Sequence, residues 1–336
     1  MMSGMAQELS TGGTTADGLG VTVLVRLVDA FIGPGLQGNP AGVVLLDHPA
    51  PTEWMQALAA EVGLSETAFL LPGPADESAG TKFVEFQLRW FSPTVEIPLC
   101  GHATLAAAHT LWTEGVVAPE RTIVFHTLSG LLRVSQDHGP DGGPVHVTLD
   151  FPVAQFSGTD PSPEIRALVD GEVLGGVIVE DMAGVITWLL EVADEATLRA
   201  HRADDDAMAA AGIGGLIITT RVGWSSRADA RAVTTRVGWS TRADGRAGTT
   251  RNNGPADVDY DIVSRCFFPG AGIPEDPVTG AAHCALVRYW APRFGRTELV
   301  GVQASARGGL VHMRWEGERV YLGGQAVTSG QVHVPA

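Results

Sequence analysis

The spacing of apolar residues divides the chain into many short strands and a few helices. Val84, Phe86, Leu88 and Trp90 alternate with Glu85, Gln87 and Arg89, and Val145, Val147, Leu149 and Phe151 alternate with His146, Thr148 and Asp150. Successive side chains of a strand point to opposite faces, so each run predicts a strand with one buried side. β-Rich runs at residues 21–28 and 42–46 predict two more. Pro51, Thr52 and Glu53 open a helical stretch through Val62, with Gly63 as its stop. Two segments differ in kind: HATLAAAHTLW from His102 and AAHCALVRYW from Ala281 are apolar nearly all round. Such segments predict helices buried on most sides. Each follows a glycine and lies among strands, so the pattern predicts an α+β fold of two related halves.

Composition narrows the function. At 336 residues the chain exceeds one typical domain of ~100–200 residues, so two domains are expected. A formal net charge of -16 argues against a binder of nucleic acid or anionic membrane, leaving small molecules as the expected partners. Three cysteines, Cys100, Cys266 and Cys284, show no C-x-x-C spacing, which points away from a disulfide framework or structural zinc and toward a cytoplasmic protein. Residues 1–20, rich in Ser, Gly and Thr, lack the features of a secretory signal and read as a mobile leader. Nor does any apolar run approach the ~18 residues that would cross a bilayer.

One segment breaks the pattern. Residues 219–233 (TTRVGWSSRADARAV) and 234–248 (TTRVGWSTRADGRAG) form a tandem repeat, and a third copy decays after Thr249. Solenoid units usually run ~20 or more residues, so this repeat is not expected to build a domain. Residues 219–251 read as a duplication tolerated in a surface loop, or as a basic docking arm anchored by Trp224 and Trp239.

Four motifs bear on chemistry. Residues 33–38 match G-x-G-x-x-G, but Asn39-Pro40 and the strand-like GVVLL follow where a nucleotide fold needs a helix, so the match fails on context. In LSETAF, Glu66 is a lone acid in a small, apolar stretch. Burial would raise its pKa toward a useful range for proton transfer and make it a candidate base; a solvated or capping glutamate is the competing reading. PLCGHAT places Gly101 and His102 at the start of a buried helix, where free N–H groups bind anions. His102 is a candidate titrating group or a structural cap, while His109, two turns on, gives too few ligands for a metal site. GIPEDPVTGAAH repeats this logic with Asp276, Thr279, Gly280 and Ala281. If the two helix starts face each other, their amides clamp a carboxylate with Glu66 and Asp276 beside it.

Together these motifs resemble the PhzF-like family of phenazine-biosynthesis isomerases, which shares the diaminopimelate epimerase fold. QGNPAGVVLLD (residues 37–47), LSETAFL (64–70), LRWFSPTVEIPLCGHATLAAAH (88–109) and GIPEDPVTGAAHCAL (272–286) carry the resemblance. It implies two pseudo-symmetric halves, each a barrel-like curved sheet around a central helix, with the site in the cleft between them. By the same resemblance the linker falls near residues 150–151, and the tail from about Gly323 returns to the first half. The halves are then 21–150 plus 323–336, and 151–322 with the repeat inserted at 219–251. The resemblance matches Glu66 to the catalytic glutamate of S-E-T, Gly101 and His102 to the G-H pair, and Asp276 to the aspartate of E-D-P. It implies no metal, nucleotide or pyridoxal cofactor, and is compatible with a homodimer. Where the family usually has serine after the glycine of D-P-V-T-G-S, this chain has Ala281. Cys100 falls where related epimerases carry a catalytic cysteine, but the opposite position is Thr279, so a two-thiol mechanism is incomplete and Cys100 reads first as packing.

The expectation is therefore an isomerase of a small carboxylated metabolite. Glu66, Asp276 and His102 handle the proton, and Cys100, Gly101, Thr279, Gly280 and Ala281 line the anion seat. A non-catalytic binder of small acids and a thiol-dependent racemase using Cys100 are the alternatives.

Overall fold

The structure is a computed structural model describing residues 22–73, 82–139, 143–158, 160–180, 184–222 and 259–335. The leader and the repeat beyond residue 222 lie outside the described residues. The first half contains β1 (Thr22–Ile32), β2 (Asn39–Leu45), α1 (Thr52–Val62), β3 (Glu66–Pro72), β4 (Phe83–Phe91) and β5 (Glu96–Ile97), then α2 (Gly101–Thr113), β6 (Thr122–Thr127), β7 (Gly130–Gly139) and β8 (Gly143–Pro152). The second begins with β9 (Phe156–Ser157), α3 (Pro163–Arg166), β10 (Val173–Val179), β11 (Thr187–Val192), α4 (Glu195–Ala200), α5 (Asp205–Ala210) and β12 (Gly215–Arg221). It continues with β13 (Ile262–Phe268), β14 (Ile273–Asp276), α6 (Gly280–Phe294), β15 (Glu298–Gln303), β16 (Gly309–Glu316) and β17 (Arg319–Pro335).

Strand pairing makes the internal symmetry explicit. In the first half, β1 pairs antiparallel with β2, β2 parallel with β3, β3 antiparallel with β4 and β4 parallel with β6, and β6, β7 and β8 continue antiparallel. The second half repeats those senses from β10 through β11, β12, β13, β15, β16 and β17. β17 joins the two halves: its first residues pair with both β16 and β8, and the remainder pairs with β1. The ring of β1, β2, β3, β4, β6, β7, β8 and β17 is thereby closed. Closure leaves that barrel without a free edge.

Parallel neighbours need a crossover, and helices supply it. α1 carries the chain from β2 to β3, and α4 with α5 from β11 to β12; α2 and α6 fill the equivalent gaps after β5 and β14. Both long helices are buried along most of their length, as their composition predicts. Ala103, Leu105 and Leu111 of α2 join Ala282, Leu286 and Trp290 of α6 in one continuous core. α1 ends as expected, with Gly63 in the left-handed conformation at φ 66°.

The glycine-rich run at 33–38 is a tight turn into β2, closed by hydrogen bonds between Gly33 and Leu36 in both directions. Gly38 there has φ +71°, and a β-carbon would sit 2.3 Å from the Ala30 carbonyl oxygen. Its glycine serves this turn, and no helix follows to seat a pyrophosphate. Among the described residues, no helix is long and apolar enough to cross a membrane.

Candidate active site

The two long helices meet start to start. Gly101 and Gly280 are their first residues, and a β-carbon on Gly101 would lie 3.0 Å from the Gly280 Cα. Cys100 and Thr279 hold the equivalent cap positions, and neither gives its helix a side-chain cap. Both N-terminal dipoles therefore point at one seam between the halves. Ala281 follows Gly280 as His102 follows Gly101, so the pseudo-symmetric place of the histidine holds a methyl group packed partly on the core.

Glu66, His102 and Asp276 come together in that seam. Glu66 is the first residue of β3, reached directly from the loop after α1, and Asp276 is the last of β14. Their relative exposures are 5% for Glu66, 3% for His102 and 7% for Asp276. Glu66 Oε2 lies 3.1 Å from His102 Nε2. Each atom is buried and has the other as its ion-pair partner.

Burial acts against a charge on His102, but the Cys100 sulfur and the Glu66 carboxylate beside the ring outweigh it, holding its pKa well above 6.5. Burial also raises the Cys100 pKa. Burial pushes Asp276 up to about 6, opposed by His102 and by hydrogen bonds from Thr279 and Asn39, and assisted by Glu66. A carboxyl poised near 6 beside a readily charged imidazole suits general acid–base work at neutral pH.

The acid of the second half is held on both oxygens. Thr279 Oγ1 donates to Asp276 Oδ2 at 2.5 Å, and Asn39 Nδ2 donates to Oδ1 at 2.8 Å. Gln303 fixes the turn beneath, donating from Nε2 to the Asp276 carbonyl at 2.7 Å and accepting from the Thr279 N–H at 2.9 Å.

Asn39 and Gln303, both wholly buried, were not singled out by the sequence reading. Asn39 stands in the quoted QGNPAG motif, where Asn before Pro reads as turn chemistry; a polar residue opening a buried strand was the available signal. Gln303 sits in an ordinary strand pattern, which carries no such signal.

His109 and Cys284 lie apart from this group, whereas Cys266 borders it. His109 is half-buried and contacts Thr328 Oγ1 at 3.2 Å through Nε2, and burial lowers its pKa. Cys266 is the register partner of Asp276, with a thiol that burial pushes up, and Cys284 lies within α6. Glu66, Cys100 and His102 offer donor atoms within 4.8 Å of one another, a spacing a metal ion could bridge. The ring and carboxylate are already paired with each other, and Cys100 Sγ lies 3.5 Å from His102 Nδ1. Two surface hollows, of about 510 and 720 Å³, lie elsewhere, against α1 and beside residues 204–206.

A closed barrel joined to a second half of matching strand senses, with two long helices meeting start to start beside Glu66 and Asp276, defines a class of proteins, and comparisons place this chain within it. The family model described as phenazine biosynthesis-like protein matches residues 28–331. An uncharacterized isomerase of Halalkalibacterium halodurans is 33% identical over 311 residues, covering 92% of this chain and 97% of the relative. The human phenazine biosynthesis-like domain-containing protein is 32% identical, covering 90% of this chain and 96% of its own. A crystal structure of a PhzF-family phenazine biosynthesis protein from Enterococcus faecalis superposes with a TM-score of 0.70 at 30% identity, covering 94% of this chain and 99% of that one. The chain belongs to the phenazine biosynthesis-like, or PhzF, family.

Proposed function

We propose that the protein is an isomerase that shifts a proton within a small carboxylated metabolite using its own side chains. Glu66 takes the proton from carbon. His102, charged beside Glu66, polarises the substrate, and Asp276 returns a proton from the other half. The amides opening α2 and α6 seat the carboxylate at Gly101, His102, Gly280 and Ala281.

One observation carries the reading: acids some two hundred positions apart are buried beside one histidine, Glu66 Oε2 at 3.1 Å from His102 Nε2 and Asp276 linked to the same ring through the Asn39 amide. The relatives named isomerases agree with this class of reaction.

A thiol route through Cys100 is less well supported. Burial holds its sulfur as the thiol, and Thr279, at the equivalent cap, is engaged with Asp276. A panel of small carboxylates incubated with enzyme in deuterated water tests the proposal. At least one acid is expected to acquire deuterium at carbon with isomerised product; binding without exchange or product across a broad panel would indicate a non-catalytic binder.

A further inference from the structure

Asn39 is placed where the two halves touch, and its connections exceed what one carboxamide can satisfy. Nδ2 lies 2.8 Å from Asp276 Oδ1, 3.0 Å from the Val278 carbonyl and 3.2 Å from His102 Nδ1. An amide nitrogen has two hydrogens, so three acceptors compete for two donors. Its orientation follows from the surroundings. Ser65 Oγ donates to Oδ1 at 3.4 Å, and a flipped amide would press its oxygen against a carboxylate and a carbonyl.

The backbone around Asn39 is fixed to the second half. Gln37 N donates to the Arg307 carbonyl at 2.9 Å and Gly38 N to the Gly308 carbonyl at 2.8 Å. Arg307 Nε donates to the Gly38 carbonyl at 2.8 Å, and its Nη2 reaches Asp29 Oδ1 at 2.7 Å. The amide therefore has little freedom to move away from the competition.

Of the three acceptors, the Val278 carbonyl never changes; the other two titrate. With Asp276 ionised, Oδ1 takes the Asn39 N–H and Oδ2 takes the Thr279 hydroxyl, so a proton arriving on Oδ1 weakens the acceptor that holds Asn39. With His102 charged, Nδ1 carries a proton and can only donate, and Cys100 Sγ, 3.5 Å away, is within its reach. Nδ1 accepts from Asn39 only when that proton is gone.

We propose that Asn39 is a positioning residue that couples the two halves: it donates to Asp276 while His102 holds the proton, and turns to His102 Nδ1 when the proton resides on Asp276. The pair carries one proton in both states. This rests on the reading of His102 and Asp276 as the proton-handling groups. Other titratable groups also lie by the pair: Glu66 from β3, Cys100 from the cap of α2 and Cys266 from β13, with His283 of α6 on the Thr279 backbone. His283 donates from Nδ1 to the Thr279 carbonyl at 2.7 Å, and Glu275 is paired with Arg265.

The test needs no substrate, so it can fail independently of the proposed reaction. His102 is followed by ¹⁵N-imidazole resonances and Asp276 by ¹³C-carboxyl resonances in the full-length protein, assigned with His102→Asn and Asp276→Asn. Asn39 stabilises the ionised carboxyl and the neutral ring, so Asn39→Ala should move both titrations upward by roughly one pH unit. A merely structural role would loosen the seam and relieve desolvation, which moves Asp276 downward toward its ordinary value, so the sign of the Asp276 shift separates the two roles. Asp276 falling, or neither group moving, overturns the proposal. Ser65→Ala keeps the amide but frees its oxygen, and should give a smaller upward shift of both. If Asn39→Ala does not fold, an unshifted Ser65→Ala overturns the proposal instead.

Discussion

Gly101 and Gly280 stand so close that a β-carbon on Gly101 would lie 3.0 Å from the Gly280 Cα. The obstacle is backbone rather than a side chain that could rotate away, so the helix starts must separate to admit it. Gly101→Ala should therefore lower stability by about 1–3 kcal/mol, as small-to-large changes at packed contacts do. It should reduce proton exchange by more than that loss explains, because the anion seat itself is widened. Denaturant melts read alongside deuterium exchange check both.

Glu66→Gln keeps the shape of the side chain and removes the base. Exchange at carbon should fall by about 10²- to 10⁴-fold with the fold intact. Unchanged exchange in a folded variant would remove Glu66 from the reaction.

Asp276 gives stability a definite pH dependence. Its pKa rises from 3.8 unfolded to about 6 folded, so the folded state holds the proton more tightly between those values. Stability must then fall as pH rises from about 4 to 6, and the loss persists above. His102, raised from 6.5, adds a loss in the same direction at higher pH. Asp276→Asn should flatten the first part of the curve, and thermal melts from pH 4 to pH 8 show whether it does.

Cys100→Ser separates the two chemical routes. An acid–base mechanism keeps most of its rate, because the cap position and backbone amides survive. A thiol mechanism loses nearly all of it. Exchange measured at equal folded concentration decides between them.

Ala281 offers a gain rather than a loss. It is the second residue of α6, beside the seam, where a serine would add a hydroxyl. Ala281→Ser should tighten binding of small carboxylates by up to about tenfold, the worth of one good hydrogen bond. Calorimetry against the same acids measures it.

Much of this was legible because local rules and global fold agree. The alternation in β4 and β8, the all-round apolar character of α2 and α6, and the Gly63 stop each follow from short-range physics. Glu66, His102 and Asp276 stood out because acids and a histidine beside glycine at a helix start are unusual in apolar surroundings. The parallel pairings of β2 with β3 and β4 with β6 were not legible, since nothing in a strand's own pattern names its neighbour. Neither was the double role of β17. Asn39 was hidden by its own neighbourhood: Gly38 and Pro40 explain it as a turn residue, and only the folded chain shows which groups its amide meets.

The central claim is that Glu66 and Asp276 act on one bound molecule across the seam. Deuterium exchange into a substrate acid, measured for wild type, Glu66→Gln, Asp276→Asn and the double variant, tests this most directly. Groups working on the same proton transfer are non-additive, so the double variant should be little slower than the slower single variant. Rate losses that simply multiply would show that the two carboxyls act independently and would contradict the account.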